Sequence, residues 1–173
     1  PPVFYKNTYV HMNHKQRKVY EELEKESVLE FTNLDVVDAQ SAASLSDKLH
    51  QLAQGAIYLD EEGHPEEEED PEKITFKIRN PKVKPWRVIH EGKLDALEEL
   101  IEEAKGQQDL VAYYYKHDLA RLQERYKTAR VMKTTEDKDD WNAGKVPVMF
   151  AHPMSVGHGL NIQFGGHIII WFS

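Results

Sequence analysis

The chain contains no cysteine in its 173 residues. This absence excludes a disulfide framework and a thiolate metal site. No apolar run reaches the roughly 18 residues that a membrane-spanning helix needs, and no secretory signal peptide is visible at the start of the sequence. We therefore expect a cytoplasmic protein that has no membrane partner.

A phosphate-binding loop is also absent. No Gly-x-x-x-x-Gly-Lys-Ser/Thr segment occurs, and Gly144-Lys145-Val146 does not match that pattern. The apolar residues 57–59 lead into Asp60 and Glu61, which resembles the acidic pair that holds Mg²⁺ in nucleotide hydrolases. An ordinary strand entering an acidic loop explains that pair better. The sequence therefore disfavours an enzyme that binds a nucleotide by itself.

The negative charge of the chain is concentrated in one segment. The formal net charge is −8, and residues 60–70 hold 8 of the 30 acidic side chains. Without that segment, 22 acidic residues balance 22 basic ones. A like-charged block of this density is typically solvated. The net charge is therefore no evidence against a polyanionic partner.

The first half of the chain predicts a helical segment followed by an excursion. Asn13 and Gln16 have the spacing of a capping box, and Gly55 suits the end of a second helix. We predict a lead-in segment over 1–55 and a hairpin-like acidic excursion over 56–85. Within them we expect an extended stretch at 3–12, helices at 14–29 and 38–54, and strands at 57–59 and 74–78.

From residue 86 onward, strands and helices alternate. The predicted helices cover 93–105, 116–126 and a segment that Thr134 caps, and the predicted strands cover 109–115, 129–132, 146–151 and 167–172. Such alternation implies a parallel sheet that is covered by helices on both faces. The uninterrupted apolar runs 146–151 and 168–172 predict strands buried in the centre of the sheet. Because the second run lies next to Ser173, we expect a piece of a longer protein.

The loop after residue 151 is the strongest functional signal. In α/β proteins, ligands bind where loops leave the carboxyl ends of strands. Gly157 and Gly159 would let the backbone approach a ligand closely, and Asn161 and Gln163 add hydrogen-bonding groups. A tight turn between two strands is the plain alternative, although it would not require the two amides.

Two further groups of side chains deserve a structural test. Tyr113, Tyr114 and Tyr115 end a strand, and their alternation predicts that Tyr114 faces away from the other two. Lys116 and His117 then open a helix, where they either pack or meet a nucleic-acid phosphate.

Three histidines close in sequence could suggest zinc, but the usual four ligands are lacking. They are His152, His158 and His167.

The order of these motifs resembles the second RecA-like lobe of SNF2-type helicase-like ATPases, and phage and prophage members most of all. The similarity covers nearly the whole chain. It is carried by Gly92-Lys93-Leu94, the strand at 110–115, Trp141-Asn142-Ala143-Gly144, and the loop from His152-Pro153 through Ser155, Gly157 and Gly159 to Asn161 and Gln163.

The resemblance implies the C-terminal motor lobe of a DNA-dependent ATPase that moves on DNA. ATP and Mg²⁺ would bind in the full-length protein, with the N-terminal RecA-like lobe of the same polypeptide as partner, in a bacterial or phage-infected cell. Gly157, Gly159, Asn161 and Gln163 would form the nucleotide-sensing loop of the lobe. Candidate contacts to DNA are Lys116, His117, His152 and Ser155. The family's small, hydroxylated or basic residues are replaced here by His152, Pro153 and Met154.

The same resemblance predicts that this chain does not hydrolyse ATP alone, since the phosphate loop and the arginine-bearing motif of the family are absent from it. A different class of function remains open. The chain could be a non-catalytic interaction module, built on a RecA-like half, that recruits a partner through residues 60–70.

Overall fold

The fold was described from a computed structural model, which covers residues 2–31, 36–60, 84–156 and 161–173. The predicted strand at 74–78, most of the acidic segment, and Gly157 to Leu160 lie outside these residues. The chain divides into two units. One contains the residues up to His11 together with Glu91–Ser173, and the other is Met12–His90.

The unit Met12–His90 combines two helices with two short antiparallel strand pairs. Its elements are α1 (His14–Glu26), β1 (Val28–Glu30), β2 (Val36–Asp38), α2 (Ala42–Gln54), β3 (Ala56–Tyr58) and β4 (Trp86–Val88). The pairs are β1 with β2 and β3 with β4. Its apolar core is formed by Leu23, Leu29, Val37, Leu52, Ile57 and Leu59.

The ends of α1 show where sequence reasoning succeeds and where it does not. The predicted capping box is confirmed, because Asn13 and Gln16 exchange both side-chain-to-backbone hydrogen bonds. The predicted end near residue 29 is wrong. Ser27 takes a left-handed conformation with a φ of 60°, and Val28 begins β1.

Helix α2 begins four residues later than predicted, since residues 36–38 pair as β2 and Ser41 caps the helix. Its predicted stop at Gly55 is confirmed by a φ of 101°.

The unit that contains Glu91–Ser173 is built on a four-stranded sheet. Its elements are α3 (Gly92–Glu103), β5 (Asp109–Ala112), α4 (Lys116–Arg125), β6 (Arg130–Val131), α5 (Thr135–Asn142), β7 (Val148–Ala151), α6 (Pro153–Val156) and β8 (Ile168–Trp171). The strand order is β6-β7-β5-β8, and every pair is parallel. The predicted α/β class with a parallel, helix-flanked sheet is confirmed, and this arrangement is compatible with a RecA-like lobe.

Apolar side chains cover both faces of the central strands. Residues Val111 and Phe150 pack on one face with Leu94 and Leu97 of α3 and Leu122 of α4. On the other face, the core contains Leu110, Met132, Trp141, Val146, Met149 and Ala151. Strands β5 and β7 are therefore buried on both faces, which the continuous apolar run 146–151 predicted for β7.

Strand β8 does not occupy the predicted central position. It is an edge strand of the sheet that the structure describes, and it pairs only with β5 there. Ile169 and Trp171 are 57% and 70% exposed, whereas Ile168 and Ile170 are partly buried. An apolar run shows that a strand is hydrophobic, but it does not show whether both faces are covered.

Among the described residues, no helix combines the length and the apolar character that a bilayer crossing requires.

Candidate functional site

The carboxyl edge of the sheet brings two predicted segments together. Because β5 and β7 are parallel, the residues that follow Ala112 and those that follow Ala151 leave the sheet at the same edge. His152 joins the two segments through an Nε2 atom that lies 3.1 Å from the carbonyl oxygen of Tyr114. The tyrosine segment and the beginning of the glycine-containing loop therefore form one surface.

Each ring nitrogen of His152 has a hydrogen-bond partner in the backbone. The backbone N–H of Met154 donates to Nδ1 of His152 at 3.3 Å, so Nδ1 is an acceptor. Nε2 then carries the proton and donates to the Tyr114 carbonyl. The imidazole also stacks on the Tyr114 ring, with ring centroids 5.7 Å apart. His152 therefore fastens the loop to the end of β5.

The three tyrosines alternate as predicted. Tyr113 and Tyr115 are 8% and 7% exposed, whereas Tyr114 is 55% exposed. The backbone N–H of Tyr114 donates to the hydroxyl of Ser173 at 2.7 Å, next to the end of β8. Tyr114 thus presents an aromatic face to solvent at the carboxyl edge of the sheet.

Lys116 and His117 have different surroundings. Lys116 is exposed in the first turn of α4, where it can meet a ligand. His117 is completely buried, with its ring stacked on Tyr115 at 5.0 Å and its Nδ1 atom 3.1 Å from the Asp118 carboxylate. The expectation that His117 contacts a nucleic acid does not fit this position, because the side chain has no exposed surface.

Lys93 links α3 to the end of the edge strand. Its ammonium group donates to the carbonyl oxygen of Phe172 at 3.1 Å. Burial lowers the pKa of Lys93, and the negative charge of Asp118 partly opposes that effect. Lys93 therefore helps to fix the strand end at the edge where the candidate site lies.

The described part of the loop presents its polar side chains outward. Ser155 is exposed on α6, and Asn161 and Gln163 are exposed after the gap at 157–160. Ile162, between the two amides, packs on the core of the α5 face. Gly157 and Gly159 lie outside the described residues. Side chains alternate along this stretch, so Asn161 and Gln163 face solvent while Ile162 attaches their backbone to the core.

Two side chains at the end of α5 hold this backbone, and sequence reasoning assigned them no role. The indole N–H of Trp141 donates to the Ile162 carbonyl at 2.9 Å, and the side-chain amide of Asn142 donates to the Asn161 carbonyl at 2.8 Å. Both residues belong to the Trp141-Asn142-Ala143-Gly144 motif of the resemblance, and the Gly165-Gly166 pair marks a close approach of backbone to another element.

The histidines do not form a metal site in the described part of the chain. His152 follows β7 at the carboxyl edge, whereas His167 precedes β8 and lies at the opposite edge of the parallel sheet. His158 is outside the described residues. No group of three potential ligands occurs among the residues that the structure describes.

The acidic segment begins inside the folded unit Met12–His90. The Asp60 carboxylate lies 3.0 Å from the ammonium of Lys48 and accepts from the backbone N–H of Asp38 at 2.8 Å. Lys48 is 8% exposed. Asp60 is therefore structural and lacks the solvated character that is typical of a like-charged block, and residues 61–70 lie outside the described residues.

Comparison with known proteins relates the chain to a phage protein. No family model matches the chain. The protein p41 of Acyrthosiphon pisum secondary endosymbiont phage 1 is 39% identical over 160 residues, which are 92% of this chain. The chain spans 30% of that protein's length, so the match relates it to one part of a much longer phage protein.

Proposed function

We propose that this chain is the C-terminal motor lobe of an SNF2-type, DNA-dependent ATPase that couples ATP hydrolysis to movement on DNA. The observation that carries the proposal is the carboxyl edge of the sheet. There the ends of β5 and β7 meet, and the exposed Lys116 and Ser155 follow them. Farther along the chain, the exposed Asn161 and Gln163 lie on backbone that is held by the end of α5. Ligands of α/β proteins bind at that edge.

The proposal treats this chain as half of a nucleotide site. Asn161 and Gln163 have exposed amides, which can donate to phosphate or accept from a partner residue. The sequence has no phosphate loop, and the described residues contain no three-ligand group for Mg²⁺. The proposal therefore assigns ATP and Mg²⁺ to the N-terminal RecA-like lobe of the same polypeptide, and Asn161 and Gln163 to the surface that closes on it.

The proposed contacts to DNA are the exposed polar groups at the same edge. Lys116 can neutralise a phosphate, and Ser155 can donate a hydrogen bond to one, which are the usual contacts of proteins to the DNA backbone. His152 would act through the position of the loop, because both of its ring nitrogens already have partners.

The test uses Asn161→Ala and Gln163→Ala in the complete protein, with Gln107→Ala as the control. Gln107 is an exposed amide in the loop before β5, so the control removes the same group from a residue to which the proposal assigns no role. We expect DNA-stimulated ATP hydrolysis to fall about tenfold or more in each site variant, which corresponds to at least about 1.4 kcal/mol of transition-state stabilisation. Activity equal to that of the control variant would exclude this role for the two amides.

One observation also makes the interaction-module alternative testable. Tyr58 and Trp86 are paired across β3 and β4, so the chain enters and leaves the excursion at neighbouring positions of one strand pair. Deleting residues 61–70 preserves the Asp60 contacts. The motor proposal predicts nearly unchanged ATPase activity after this deletion, whereas an interaction module would lose its partner.

A further inference from the structure

We propose that Trp141 and Asn142, here called the clasp, are positioning residues that fix the orientation of Asn161 and Gln163 for ATP hydrolysis. The inference rests on the proposed function. Neither residue would touch nucleotide or DNA, and each would act through the backbone of the loop.

The clasp binds two successive carbonyl groups from one helix end. Trp141 donates to Ile162 and Asn142 donates to Asn161, at 2.9 Å and 2.8 Å. Two bonds to adjacent peptide units restrict both the position and the rotation of the chain between them. The side chains of Asn161 and Gln163 alternate with Ile162, so fixing these units also sets the directions in which the two amides point.

The clasp itself has a rigid support. Trp141 is 1% exposed within the core of the α5 face. The side-chain amide of Gln108 donates to the carbonyls of Trp141 and Val146, at 3.1 Å and 2.8 Å. The end of α5 is therefore fastened to the segment that leads into β7.

The turn beyond Gln163 closes over the indole ring. A Cβ atom on Gly165 would overlap the Trp141 side chain, and one on Gly166 would lie 2.7 Å from the carbonyl oxygen of Gln108. A side chain at either position would overlap neighbouring atoms, so glycine is needed at both for the backbone to approach the indole this closely. The segment 161–166 is held by the clasp along its length, although its two amides are exposed.

A purely structural role would affect folding alone, whereas a positioning role would also affect the chemical step. Errors of about 1 Å in the placement of a catalytic group can reduce rates by about two orders of magnitude. The clasp variants should therefore lower kcat more than they raise KM for ATP, because binding to the N-terminal lobe remains.

The experiment compares Trp141→Phe and Asn142→Asp in the complete protein. Trp141→Phe retains a ring but removes the N–H donor, and Asn142→Asp replaces a donor with a carboxylate that repels the Asn161 carbonyl. The controls are Trp171→Phe, at an indole that is 70% exposed, and Gln107→Glu. We expect kcat of DNA-stimulated hydrolysis to fall about tenfold in both clasp variants, KM to change by less than about threefold, and both controls to resemble the wild type.

Hydrogen–deuterium exchange separates this inference from the proposed function. The peptide that covers residues 161–167 should exchange faster in both clasp variants than in the controls. Unchanged exchange would overturn the clasp whatever the activity. Faster exchange with wild-type kcat would overturn the positioning role. Absence of DNA-stimulated ATPase in the wild type would overturn the proposed function and the positioning role together, and exchange would then decide the clasp contacts alone.

Discussion

Replacing Asp109 by Asn should stabilise the protein in a pH-dependent way. Asp109 begins β5 and is 1% exposed. Its Oδ1 atom is buried and accepts no hydrogen bond from the described residues. Burial raises the pKa of Asp109 from 3.8 to about 6, because a charged carboxylate is poorly solvated there. At neutral pH the folded protein therefore carries an unfavourable buried charge.

The size and sign of the effect follow from proton linkage. The folded state binds the Asp109 proton more tightly than the unfolded state does, so stability is gained below the unfolded pKa and lost as pH rises through about 6. The destabilisation at pH 7 is about 3 kcal/mol, and at pH 4 it is about 0.5 kcal/mol. The advantage of Asp109→Asn over the wild type should therefore shrink by about 2 kcal/mol between pH 7 and pH 4.

Urea unfolding of the wild type and Asp109→Asn at several pH values measures this change directly. Asp139→Asn, at a side chain that is 66% exposed, controls for removing one negative charge. If the difference between Asp109→Asn and the wild type stays constant from pH 7 to pH 4, the carboxylate is not buried as described.

Two further predictions concern helix α5 and the turn that packs on it. Burial alone would raise the pKa of Asp137, but hydrogen bonds from Lys133, Thr134 and Arg130 lower it to about 2. Asp137→Ala should therefore destabilise the protein by about 1–2 kcal/mol at pH 7, with the difference from wild type narrowing below pH 4 in urea unfolding. Gly165→Ala should cost about 1–3 kcal/mol through overlap with the indole, seen as a lower Tm, and a Tm equal to that of the wild type would contradict the packing.

Local signals in the sequence predicted most of the elements but not their environments. Asn13 with Gln16, and Thr134 as an N-cap, encode helix starts in side-chain chemistry, and both predicted starts are confirmed. The exposure of one face of β8 could not be read, because it depends on which other elements cover that face. Strands β1 and β2 were missed since three-residue pairs leave no periodic pattern.

The candidate site shows the same division between local and tertiary information. The alternation of the three tyrosines followed from strand geometry alone. The burial of His117 and the contacts of Trp141 depend on elements distant in sequence. Motif spacing does not report such contacts, and the Gly165-Gly166 pair was a local trace of one.

The most direct test of the central claim is ATP hydrolysis by the complete protein, measured with and without duplex DNA. The proposed motor lobe predicts that DNA stimulates hydrolysis by the complete protein and that the 173-residue chain alone shows none. Hydrolysis that does not respond to DNA, or no hydrolysis by the complete protein, would contradict the account.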